Sequence, residues 1–516
     1  MLRTLAALLL SLALLQAPAF AAEATGEQRT TEALDALRTD PLALRAFLAA
    51  MPKGADLHNH LDGAVYAETF IRVGVEDRFC IDTETMGFAK PQPADTRASA
   101  QPLCNVGDVP VSDAFKKQRL FDGLVDSFSM RGFVPSEAVT GHDHFFGVFA
   151  KFSGTDPSHT GEFLDEVSAR ASAQNEQYLE LMETPTWHRL TDITNGMDWR
   201  EDLGSLRDEL VAKGLPDDIP AARAFWDQAE QIRNQRQHCG TPVAAPGCKV
   251  ATRYIYQVFR IAPKQLVFAQ TLFGFALAAA DPRIVGINFV GAEDSQIAMA
   301  DYAEHMRMVA FVRRLYPNVH VSLHAGELAP GLVPPEGLCC HIRLAVDTAH
   351  AERIGHGIDV MYEERQYDLL KDMADKGVLV EVNLTSNAVI LGIQGKDHPF
   401  TTYRKFGVPV ALSTDDEGVS RIDLTHEYQR AVETFGLAYP ELKELVRNSI
   451  EYSFLPGASL WGEKRAGYGS VAEACGSDAL GAETPSQACA SFIAGSEKAK
   501  QQWELEARFT AFEATH

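Results

Sequence analysis

The sequence predicts a (β/α)8 TIM barrel with insertions and extra N- and C-terminal helices, and three observations carry the prediction. First, there are eight short apolar runs rich in β-branched residues, and each ends in a polar or glycine-bearing turn. They are "ADLHNHL" (55–61), "QYLELMET" (177–184), "VATRYIYQVFRI" (250–261), "RIVGINFVG" (283–291), "HVSLHAGE" (320–327), "RIGHG" (353–357), "GVLVEVNLTSN" (377–387) and "VPVALSTDD" (408–416). Second, helix-patterned stretches such as "MADYAEHMRMVAFVRRLY" separate the later runs, as parallel βαβ units require. Third, Gly291 to Glu327 is 36 residues, His324 to His356 is 32 and His356 to Asp415 is 59. At roughly 30 residues per βαβ step, these intervals are one, one and two units.

The elements follow in order. Residues 1–21 read as a signal peptide: Arg3 is the charged start, Leu5 to Leu15 the apolar run, and Ala19-Phe20-Ala21 the cleavage site. Residues 22–50 form a flexible lead and then a helical stretch, with Leu34, Leu37, Leu42, Leu44 and Phe47 in apolar rhythm. Residues 51–455 make the barrel. Stretches near 80–110 and 185–248, rich in Pro, Gly and Cys, are too long for plain units and read as insertions. Residues 456–516 form a helical tail.

Bulk composition narrows the function classes. The chain has 516 residues, 46% hydrophobic and 23% charged, with a formal net charge of −23. Such an acidic surface repels nucleic acid and anionic membrane. Eight cysteines and an export signal place the chain in an oxidising compartment, periplasmic or secreted. The sequence-local pairs are Cys80–Cys104, Cys239–Cys248 and Cys475–Cys489, with adjacent Cys339 and Cys340 either bonded or free.

Barrel chemistry sits at the C-terminal rim, where strands end. His58 and His60 are two apart on the first strand and therefore share a face. His324 ends the fifth strand and Asp415 the eighth. Three imidazoles and one carboxylate suit zinc with an open position for water, one ion per chain. His356, ending the sixth strand, either joins the ligands or holds and deprotonates the water, and crowding favours the second role. Glu327, in "HAGE", is placed for proton shuttling. In "DD" at 415–416 the first acid binds metal and the second, Asp416, meets substrate. A second H-x-H, "HDH" at 142–144, has no strand before it and starts a helical stretch, so metal binding is not read there. The chain lacks HExxH, GxSxG, a P-loop, GxGxxG and the H-x-E…P-C-x-x-C deaminase signature.

The motifs "MPKGADLHNHLDGA", "VGINFVGAE", "SLHAGE", "ERIGHGID", "EVNLTSN" and "LSTDD" resemble, in order and spacing, those of the adenosine deaminase family of the amidohydrolase superfamily. The resemblance spans roughly residues 45–455. It implies hydrolytic deamination of adenosine or deoxyadenosine to inosine or deoxyinosine plus ammonia, in nucleoside salvage outside the cytoplasm. It implies zinc on His58, His60, His324 and Asp415. It implies that Glu327 protonates purine N1, His356 orients and deprotonates the water, and Asp416 meets N7. Gly291 would offer its N–H to N3 and Asp62 would hold a ribose hydroxyl, with His60 also beside the substrate. "VGINFVGAE" departs from the family's usual acidic run. The export signal, insertions and cysteines look more like the secreted, growth-factor-related branch, for which a homodimer is expected. Two other readings stay open: deamination of adenine or another aminopurine, and a secreted signalling protein with an inactive barrel.

Overall fold

The computed structural model describes residues 25–90, 104–155, 157–185, 187–462 and 468–516. The expected signal peptide and the middle of the 80–110 insertion lie outside them.

Eight parallel strands form the barrel: β1 Gly54–His60, β2 Glu176–Glu183, β3 Ala251–Phe259, β4 Ile284–Val290, β5 His320–Ala325, β6 Arg353–His356, β7 Leu379–Val382 and β8 Val410–Leu412. Each pairs with the next in chain order. The barrel closes just past β8, where Asp415 N donates to His58 O (2.9 Å) and His60 N donates to Asp415 O (3.1 Å). Closure therefore runs through residues of the predicted metal site. β4 is buried at every position because helices such as Lys264–Ala280 cover its outer face while side chains fill the interior.

The helical stretch expected over residues 31–50 is two helices, Gly26–Leu37 and Pro41–Ala50. Pro41 cannot continue the first helix but suits the first turn of the second, which Asp40 caps through the Leu42 and Ala43 amides. In the first insertion, a three-stranded antiparallel sheet joins Gly87–Ala89, Cys80–Asp82 and Val109–Pro110, and Cys80–Cys104 clips it. The second insertion is helical, chiefly Leu203–Ala212 and Ile219–Arg236, with Cys239–Cys248 at its end. Cys475–Cys489 and Cys339–Cys340 are also bonded. The tail ends in helix Glu497–Glu513, which packs Phe512 edge-on against Phe47 of Pro41–Ala50. Among the described residues no helix is long and apolar enough to cross a membrane.

Candidate active site

Four predicted ligands meet at the rim. One donor atom from each of His58, His60, His324 and Asp415 lies within 4.8 Å of the others. His58 Nε2 is 3.0 Å from His324 Nε2, and His60 Nε2 is 3.3 Å from it. Asp415 Oδ1 lies 3.3 Å from His58 Nε2 and 3.2 Å from His60 Nε2.

Each ring is turned inward by an acceptor behind it. His58 Nδ1 donates to Glu381 Oε2 (2.6 Å), His60 Nδ1 to Gln257 Oε1 (3.0 Å) and His324 Nδ1 to Asn288 Oδ1 (2.8 Å). The backbone amide of His324 also donates to Asn288 Oδ1 (3.1 Å), which fixes that amide's orientation. With Nδ1 protonated in this way, three Nε2 lone pairs and a carboxylate converge. That arrangement needs a cation, and neutral imidazole with one carboxylate fits zinc. Ser386 Oγ donates to Asp415 Oδ2 (2.6 Å), holding the fourth donor.

The backbone at this rim is held away from its easiest conformations. His356 and Asp415 have φ of 67° and 62°, a left-handed region that costs a non-glycine residue about 1–3 kcal/mol. Gly355 is required by close approach, since a Cβ there would sit 2.5 Å from the His58 ring. Likewise a Cβ on Gly63 would overlap Asp416.

The remaining predicted residues line one cavity of about 640 Å3, together with His60, His324 and Asp415: Asp62, Gly291, Glu327 and Asp416. His356 stands behind them, fully buried, with Nε2 3.7 Å from Glu327 Oε1 and 3.9 Å from Asp415 Oδ2. Burial, and then Asp415, push the Glu327 carboxyl well above its ordinary pKa. The same two causes raise Asp416 to about 8. Burial therefore favours the protonated, hydrogen-bond-donating form of both carboxyls. Asp415 is opposite: burial resists its ionisation, but the His58 and His60 imidazoles against its Oδ1 hold it well below the usual carboxylate range.

"HDH" at 142–144 is the start of helix Gly141–Phe152, capped by Thr140. Residues two apart on a helix diverge: His142 meets Asp294 (2.9 Å) and His144 meets Ser129 O (3.1 Å). What this helix brings to the cavity is aromatic, Phe145, Phe146, Phe149 and Phe152.

Several residues that support the site had no role in the sequence reading. Glu381 bridges His58 to Arg353, whose Nε lies 2.7 Å from Glu381 Oε1. Arg260 donates to Gly291 O (2.7 Å) and lies 3.6 Å from Glu293 and 3.8 Å from Glu327. Glu293 accepts from the Gly326 and Glu327 amides (3.0 and 2.8 Å), fixing the "HAGE" turn. Glu183, ending β2, lines the cavity near Asp62. Gln257, Asn288 and Glu381 share one available signal: a polar residue inside an otherwise apolar strand.

Fold and site together define a parallel (β/α)8 barrel with a candidate metal site at its rim. The adenosine deaminase family model matches residues 230–460, which contain His324, Glu327, His356, Asp415 and Asp416 but not "ADLHNHLDGA". An adenosine deaminase of Clostridium perfringens strain 13 is 37% identical over 172 residues, 33% of this chain and 47% of that protein. An adenine deaminase of Rhizobium leguminosarum bv. trifolii is 32% identical over 183 residues, 35% and 51% of the two chains. The chain thus spans about half the length of the curated relatives it matches. Solved structures of similar fold include a Burkholderia ambifaria amidohydrolase with bound zinc, with TM-score 0.52 and 18% identity over 81% of this chain and 89% of that one. Another is the Arabidopsis N6-mAMP deaminase, with TM-score 0.51 and 20% identity over 80% and 96%. The segment from residue 230 to 460 is thus similar to adenosine deaminases, and the ordered motifs run in the same sense.

Proposed function

We propose that the protein is a zinc-dependent deaminase of adenosine and deoxyadenosine, releasing inosine or deoxyinosine and ammonia. The observation that carries this is the pair of buried carboxyls, Glu327 and Asp416, facing one cavity beside a three-histidine, one-aspartate site, where burial favours their protonated forms. An aminopurine presents ring-nitrogen acceptors at N1 and N7, and two protonated acids are the matching donors.

His58, His60, His324 and Asp415 would hold the zinc. When bound, the metal makes water acidic enough to act as a nucleophile near neutral pH. Glu327 donates to N1 and withdraws electron density from C6, where water attacks. Asp416 donates to N7, the Gly291 amide meets N3, and His356 orients the water. The C6 amino group leaves as ammonia after it takes up a proton.

Asp62 and Glu183 favour a nucleoside over a nucleotide. Crowding by protein raises Asp62 to about 6, with His60 as the easing charge. Burial, and then Asp62, hold Glu183 well above the ordinary range. Both carboxyls can hydrogen-bond sugar hydroxyls, whereas a phosphate would bring further negative charge beside Asp62. The described lining of the cavity includes no lysine or arginine to neutralise one. The aromatic wall suits a base. Four disulfides support a working place outside the reducing cytoplasm.

Ammonia release from zinc-loaded protein on adenosine, deoxyadenosine, adenine and AMP tests the reading. Turnover of the two nucleosides far above the others is expected. Fast adenine turnover with inert adenosine would replace it with the activity named for the Rhizobium relative.

A further inference from the structure

A run of hydrogen bonds enters the site from the backbone through His398, Asn387 and His356, and each link permits one direction only. Pro399 has no N–H, so the Phe400 amide is the first donor after His398, and it lies 3.1 Å from His398 Nδ1. A backbone amide only donates, so that nitrogen accepts. His398 is buried, and burial pushes its pKa down to about 3, so the ring is neutral with its single proton on Nε2. Nε2 then donates to Asn387 at 3.1 Å, and the Asn387 atom it meets is the carbonyl Oδ1. The other amide atom, Nδ2, is turned to His356 Nδ1 at 2.8 Å. An amide nitrogen only donates, so His356 Nδ1 accepts and a neutral His356 carries its proton on Nε2. That Nε2 is buried and has no hydrogen-bond partner among the described residues.

The contrast with the three neighbouring histidines is chemical. Behind His58, His60 and His324 stand acceptors, Glu381, Gln257 and Asn288, which draw the proton to Nδ1 and leave Nε2 bare for a metal. Behind His356 stands a donor. We propose that Asn387 and His398 are positioning residues that lock His356 in its Nε2–H tautomer, so that it meets the reacting oxygen as a hydrogen-bond donor and is barred from ligating the metal. The function of that donor rests on the deaminase reading above, whereas the tautomer follows from the hydrogen bonds alone. The proton-accepting role expected for His356 is then closed to its neutral form.

Ring-nitrogen NMR on zinc-loaded protein with 15N-histidine tests this. His356 and His398 are assigned by the signals lost in His356→Gln and His398→Gln. The expected wild-type pattern is a protonated Nε2 and a bare Nδ1 on both rings. Asn387→Asp turns a carboxylate on His356 and should move that proton to Nδ1. His398→Leu frees Asn387 to flip and should give mixed tautomers. His398→Gln keeps a donor in place of Nε2 and should preserve the His356 signature. For Asn387→Asp and His398→Leu, kcat should fall about 10–100-fold, the usual effect of removing an outer partner, with KM nearly unchanged. A wild-type His356 protonated at Nδ1 overturns the proposal, and that spectrum decides whether or not the variants fold. So does an unchanged His356 signature in His398→Leu. An intact Nε2–H signature in protein that releases no ammonia from any aminopurine upholds the lock and removes the deaminase reading.

Discussion

Glu327 shows how one carboxyl acquires its chemistry from its surroundings. It sits beside Asp415, which the surrounding imidazoles of His58 and His60 favour in the ionised state. Glu327 has no such imidazole pair, and burial pushes its carboxyl well above the ordinary range. Two carboxyls in one site are driven apart in pKa, and that separation assigns the acid. Glu327→Gln keeps the shape and removes the transferable proton. The expected outcome is a fall in kcat of about 10²–10⁴-fold with bound zinc unchanged, checked by steady-state kinetics beside elemental analysis. Unchanged turnover would strip Glu327 of its role. The supporting groups are as specific as the ligands. Glu381 is held between Arg353 and His58, and these two keep it ionised against burial.

At the scale of elements, strands place the metal donors and an inserted helix builds the rest of the cavity. Helix Gly141–Phe152 precedes β2 and lies outside the repeating strand–helix units, yet it supplies four of the aromatic rings facing the site. Its start is fixed by a capping box between Thr140 and Asp143. The half-buried Phe149 lines the cavity at the edge of the main core, edge-on to Phe145 and Phe152. Phe149→Ala should therefore raise the nucleoside KM by roughly tenfold, about the 1–2 kcal/mol of a partly exposed aromatic contact, and leave zinc content unchanged. An unaltered KM would show that the base does not rest on this helix.

At the scale of the molecule, the rim is held by contacts that join distant strands. Glu293 is the central one, because it binds the turn after β5, pairs with Arg260 after β3, and accepts from His341 Nδ1 (2.5 Å). Burial opposes its ionisation, but Arg260 and His341 outweigh that and hold its pKa at about 2, against an ordinary 4.5. The folded state thus releases this proton more readily than the unfolded chain. The stability it contributes is complete above about pH 5 and is lost as pH falls towards 2. The difference corresponds to about 3 kcal/mol. Denaturant unfolding followed from pH 6 to 3 should show the wild type losing stability faster than Glu293→Gln. Parallel curves would mean that the network does not hold Glu293 ionised.

Much of this was legible in the chain. Eight strands came from apolar runs and their spacing because a barrel strand, covered on both faces, must be apolar nearly throughout. That His58, His60, His324 and Asp415 would meet at the rim was legible because strand ends form it. The single helix expected over residues 31–50 missed the break at Pro41, although that proline and the Asp40 cap were both in view. The residues behind the ligands were not legible. Gln257, Asn288 and Glu381 stand out only as polar positions inside apolar strands, and nothing local says which histidine each will face. Asn387 and His398 are eleven residues apart, and their partner His356 lies 31 residues before Asn387. The sequence by itself determined the strands and the polar clusters at their ends, since these depend on residue type and period along one chain. Only the tertiary structure decided which nitrogen of each histidine is bare and which carboxyl stays protonated. Those states are set by hydrogen bonds and burial between strands far apart in sequence, and a linear pattern does not record them.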